Sequence, residues 1–178
     1  MTVYVPAAYV GWVRTAATKT GMPYAVVAAQ INEESGFNPA AVSPAGAEGI
    51  AQFLPSTFRQ YASGSPFNTT DAWVAYTNFM VALLAWSGGS IWKALAAYNA
   101  GQGNWQAGIG YANTILAAAG QGTGVKGNIT SHVAAQYLPP PAVAASGDDW
   151  SGWINRAAGR LSTSASDTWH AGIGLRRM

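Results

Sequence analysis

Glycine and proline cut residues 1–120 into short alanine-rich segments, and this punctuation most narrows what the chain can fold into. Pro6 can open a first helix that Gly21 closes near residue 20. Pro23 opens a second, with Tyr24, Val27 and Ile31 on one apolar line. Ser35-Gly36 and Asn38-Pro39 end it, and a loop over 36–47 follows. A short helix is expected at Gly49–Leu54, and another from Pro55 to about Ala62. Asn68–Thr70 precedes a long helix, Asp71–Trp86, in which Trp73, Tyr76, Met80, Leu83 and Leu84 recur at steps of three and four. Gly88-Gly89 stops it. Ser90 then caps Ile91–Ala100, Gly101 ends that helix, and a last one covers Gly110–Ala119. Alanine favours helix, and no strand-like alternation runs longer than a few residues. The expected fold class is all-α.

From Gly120 onward the composition shifts. Residues 120–147 are rich in Gly, Ala, Ser and Pro and read as an extended arm. Asp148 or Asp149 can cap a short amphipathic helix near 149–161 through Trp150, Trp153, Ile154, Ala157 and Leu161. The expected organisation is a helical domain, 1–120, and an arm, 121–178.

Charge and composition exclude several classes. Charged residues make up 9% of the chain, so its polar surface must come mostly from Ser, Thr, Asn, Gln and Gly. The net charge of +2 lies in the arm and is too weak for a nucleic-acid footprint. The absence of cysteine removes disulfides, thiolate metal sites and a thiol nucleophile. His132 and His170 stand in low-complexity sequence without ligands at metal spacing, so no metal and no cofactor are expected. The first 14 residues lack a basic n-region and a continuous apolar stretch, so no secretory leader is expected. No apolar run is long enough to span a membrane.

Residues 1–120 hold only four carboxylates, Glu33, Glu34, Glu48 and Asp71. At 100° per residue, Glu34 continues the line of Tyr24, Val27 and Ile31, while Glu33 turns toward solvent. Desolvation and the negative end of the helix both favour the neutral form of Glu34. A glutamic acid still protonated near neutrality suits a general acid acting on a glycosidic oxygen. Asp71 reads as a first-turn charge that complements its helix dipole. Glu48 is open to two readings, a groove-edge charge or a second carboxylate. Trp73, Trp86, Trp92 and Trp105 are core residues or sugar platforms. Periodicity puts Trp73 in the core, and the Gly-rich turn around Trp105 makes it the favoured groove aromatic.

Three segments in order, Glu34-Ser35, Gly49-Ile50-Ala51-Gln52 and Ala97-Tyr98-Asn99-Ala100-Gly101, resemble the signatures of the soluble-type lytic transglycosylases of peptidoglycan. The Asn38-Pro39 and Ser43-Pro44-Ala45-Gly46-Ala47 segments lie between the first two. The resemblance spans about residues 5–119 and implies a lysozyme-like helical domain of goose type. It implies that Glu34 is the single catalytic acid and then base, and that Ser35 helps position the reacting sugar. Gln52 would bind glycan at the groove floor. Tyr98 and Asn99 would line the opposite side, with the Tyr98 hydroxyl near Glu34. Ala51 departs from the pattern, where Met is common. The implied reaction cleaves the bond between N-acetylmuramic acid and N-acetylglucosamine and closes a 1,6-anhydro ring. Alternatives are a goose-type muramidase, which is a hydrolase, and an inactive wall-binding protein. The expected partner is the glycan strand at the cell wall. The arm, 121–178, suits contact with virion or tail proteins of a phage, and a bacterial conjugation or secretion component is the alternative setting.

Overall fold

A computed structural model describes residues 3–127. Six α-helices occur among them. They are α1 (Val10–Thr20), α2 (Tyr24–Ser35), α3 (Pro55–Tyr61), α4 (Thr69–Trp86), α5 (Ile91–Ala100) and α6 (Ile109–Ala118). A single 3-10 turn, Ala7–Tyr9, precedes α1, and a 3-10 segment, Gln102–Gly108, joins α5 to α6. The domain is all-α, with β pairing limited to isolated bridges among the described residues.

The helix ends follow the punctuation. Gly21 and Gly36 take left-handed conformations after α1 and α2, where a side chain would strain the backbone. Asn68 caps α4 by accepting from the Asp71 amide at 3.1 Å. Ser90 caps α5 by accepting from the Lys93 amide at 3.3 Å.

Helix α4 forms the centre, because 10 of its 18 residues are buried and few polar side chains oppose its enclosure. It packs against α1, α3 and α5, while α2 packs on α1 and α6. Met80, Leu83 and Leu84 are fully buried. Each such side chain contributes roughly 1.5–3 kcal/mol relative to exposure. One expectation changes on α2 and one stands on α4. Tyr24, the first residue of α2, is 38% exposed and lies outside the core line. Trp73 is buried as expected and stacks on Trp12.

The short helix expected at Gly49–Leu54 is instead a tight hairpin-like loop. Glu48 and Phe53 exchange both backbone hydrogen bonds, at 2.9 and 3.0 Å, and Glu48 also bridges Val42. The reason lies at Gly49 and Gln52, both with positive φ, which breaks helical continuity. Gly49 is also pressed against the backbone: a Cβ there would stand 1.9 Å from the Pro66 carbonyl oxygen.

Beyond α6 the chain turns back. Gly127 N donates to Gly89 O at 2.9 Å and Ile91 N to Val125 O at 3.4 Å, so residues 121–127 run beside the α4–α5 turn. The amphipathic helix expected near 149–161, with Trp150 and Trp153, and both histidines lie outside the described residues.

Candidate active site

A cleft of about 650 Å³ opens between the end of α2, the 43–57 segment and the end of α5. Glu34, Gln52, Tyr98 and Asn99 all line it, together with Ser43, Leu54, Phe79 and Gly101. Four of the residues singled out in the sequence therefore meet at one place. Among its lining residues Glu34 is the single carboxylate.

Glu34 occupies the last turn of α2, on the side that continues Val27 and Ile31, both fully buried. Glu33 is exposed, as the 100° step requires. Burial drives the Glu34 carboxyl up from 4.5 to about 7, and the Glu33 charge adds to the rise. A hydrogen bond from the Tyr111 hydroxyl to Glu34 Oε1 opposes it, because a donor favours the charged form. The net result is an acid that remains partly protonated near neutrality. With Oε1 engaged by Tyr111, Oε2 is the oxygen free to hold the transferable proton.

Tyr111 was not signalled by any local pattern. It stands near the start of α6, 77 residues from Glu34, and only the packing of α2 against α6 brings the two together. Burial and the neighbouring Glu34 charge hold the Tyr111, Tyr98 and Tyr76 hydroxyls well above their ordinary range. All three stay protonated and serve as donors.

Tyr98 differs from expectation in its partner. Its hydroxyl feels the Glu34 charge, but it donates to the Ala51 carbonyl at 2.7 Å. Its ring is fixed by Phe53, Phe79 and Tyr76 at centroid distances of 6.0, 5.1 and 6.1 Å. Tyr98 thus clamps the loop that carries Gln52. Ser35 acts on the same loop, donating to the Ile50 carbonyl at 2.7 Å and accepting from the Asn38 amide at 3.1 Å. The Ser35 hydroxyl is committed to the protein, so its geometry supports loop positioning in place of direct contact with a sugar. Ala51 is buried, and its contribution is its carbonyl.

Gln52 holds a left-handed backbone with φ of 49°. Its Nε2 donates to Gly49 O at 2.8 Å and Ala41 O at 3.2 Å, and the residue lines the cleft. A strained conformation held by several bonds is a form of preorganisation. Asn99 is exposed at the cleft rim.

Two expected residues stand apart. Glu48 contributes its backbone to the loop and does not line the cleft, so the second-carboxylate reading finds no support in its placement. Trp105 is not among the residues that line this cleft. The 3-10 segment after Gly101 folds back along α5 and packs Trp105 edge-on against Trp92 at 5.6 Å. Among the described residues no group of His, Cys, Asp and Glu could hold a metal ion, and no helix is long and apolar enough to cross a membrane.

The family model described as the transglycosylase SLT domain matches residues 11–118, more than half of the chain. No solved structure gives a significant match.

Proposed function

The chain belongs to the transglycosylase SLT domain family, and from that premise we propose that it cleaves the β-1,4 bond between N-acetylmuramic acid and N-acetylglucosamine without consuming water. Family members are lytic transglycosylases acting on peptidoglycan. The observation that carries the reading is a cleft whose lining includes one carboxylate, Glu34, partly protonated near neutrality.

Glu34 Oε2–H gives its proton to the glycosidic oxygen as the bond from the muramyl C1 breaks. An oxocarbenium-like centre remains, assisted by the muramyl N-acetyl group. The carboxylate then accepts the proton of the muramyl 6-hydroxyl, and O6 bonds to C1. Glu34 ends protonated, as it began, and no atom is gained from solvent. An ordinary glycosidase needs a second carboxylate about 5–10 Å away to activate water or form a covalent bond. Glu33 faces solvent, Asp71 receives the Ser65 amide, and Glu48 lies off the cleft. Tyr111 orients the acid, Gln52 and Asn99 meet the glycan, and Ser35 and Tyr98 hold the loop behind Gln52.

Mass analysis of muropeptides released from purified sacculi tests this. The native protein should release ends lighter by one water than hydrolytic ends, and Glu34→Gln should release none. Hydrolytic ends would establish the muramidase alternative, and unchanged clearing by Glu34→Gln would remove the enzymatic reading. The phage-particle setting is a second proposal, supported by the Gly/Ala/Pro-rich composition of residues 121–178. Co-sedimentation of the chain with purified virions would support it, and recovery only in the soluble lysate would overturn it.

A further inference from the structure

Outside the cleft, the start of α5 carries a framed positive charge. There the Lys93 ammonium lies 4.5 Å from the centroid of the Trp86 ring and 5.2 Å from that of Trp105. Trp105 is itself held by Trp92, whose Nε1 donates to Asn113 Oδ1 at 2.8 Å. All three indoles and Lys93 are half-buried. The cation is therefore fixed by two aromatic faces and has lost much of the freedom of a lysine side chain. No carboxylate among the described residues pairs with it. The four that exist there, Glu33, Glu34, Glu48 and Asp71, sit on α2, the hairpin loop and the start of α4. Lys126, exposed and bridged to Ser90, adds a second positive charge nearby.

The position relative to the cleft follows from helix geometry. Phe79 and Ala100 line the cleft. Trp86 follows Phe79 by seven residues on α4, and Lys93 precedes Ala100 by seven on α5. Seven residues return to nearly the same face after two turns, a displacement of about 10 Å. The α4–α5 pair thus presents the cleft at one end of a face and the framed cation at the other. The aromatic faces of Trp86 and Trp105 are turned to the ammonium, which disfavours a neutral sugar stacking there and favours an anion on the open side of Lys93.

We propose that Lys93, framed by Trp86 and Trp105, is a carboxylate-binding subsite for a peptide stem of the bound glycan strand. This rests on the reading of the cleft as a peptidoglycan site. Each disaccharide of such a strand carries one stem bearing carboxylates, and the separation of about two helical turns is on the order of one disaccharide. The subsite selects strands whose stems carry free acids, and it acts on binding, with no part in the chemical step.

The test is calorimetric binding of soluble glycan strands to the full chain carrying Glu34→Gln, which blocks turnover. Two ligands are compared: strands with free stem carboxylates, and the same strands after carbodiimide coupling to ammonia. The free-acid strands should bind about fivefold more tightly at low salt, with the preference shrinking as ionic strength rises. Adding Lys93→Met, which keeps the apolar stem on the indoles, should remove the preference, and Lys93→Arg should retain it. Thermal melts confirm that each variant is folded, with Lys93→Gln as the substitute if Met is not tolerated. An undiminished preference in Lys93→Met, or equal binding of both ligands at the start, overturns the proposal and leaves Lys93 as cover for aromatic surface. Binding needs no turnover, so a native protein that releases no anhydro ends while the Lys93-dependent preference persists would overturn only the catalytic reading.

Discussion

Replacing Glu34 by glutamine should stabilise the folded protein, and only above a definite pH. The Glu34 carboxyl titrates at 4.5 when solvated and at about 7 in the fold, chiefly because burial penalises its charge. Below about pH 4.5 the group is neutral in both states and contributes no difference. Between 4.5 and 7 the unfolded chain loses the proton first, so stability falls as pH rises. Above about 7 the full cost is present. The displacement corresponds to at most about 3 kcal/mol, and partial exposure of Glu34 reduces this to about 2. Glutamine preserves the acceptor for Tyr111 and carries no charge. At pH 8 the variant should therefore melt higher by roughly 6–10 °C, and at pH 4 the two should melt together. Calorimetry of both proteins across pH 4–8 measures this directly. A variant that is equally or less stable than the parent at pH 8 would refute the claim that the site stores an unfavourable charge.

Two further outcomes follow from the same geometry. Tyr111→Phe removes the hydrogen bond that favours ionised Glu34, so the alkaline limb of kcat/KM should move up by about one pH unit from its position near 7; a limb that stays put or moves down would contradict the assignment. Gly49→Ala would push a Cβ to 1.9 Å from the Pro66 carbonyl at a φ of 74°, so urea midpoints should report a loss of about 2–4 kcal/mol together with lost activity, and an unchanged midpoint would show that the loop can relax.

Local chemistry made most helix ends legible, because Gly21, Gly36, Asn68, Ser90 and Gly101 act through their immediate neighbours. The same held for the choice of Glu34 over Glu33, which needs only the 100° step between residues. The loop at 49–54 is not legible locally, because a single pair of bridges between Glu48 and Phe53 is too short to show strand alternation. What decides it is contact of Gly49 with Pro66, seventeen residues away. Tyr111 was invisible for a related reason: its function arises from α2 against α6, and nothing near it in sequence marks it. Trp105 packs on Trp92 away from the cleft lining, and a glycine-rich turn carries no information about the direction in which it folds. The departures fall where packing between distant segments overrides local preference, and several of them surround the acid.

Titration of the carboxyl carbons in protein labelled with 13C at glutamate reads the Glu34 proton itself. One glutamate should show a midpoint near pH 7, absent from the Glu34→Gln variant. Every glutamate titrating between about 4 and 5 would contradict it, since a residue ionised throughout the neutral range could not begin the reaction as an acid.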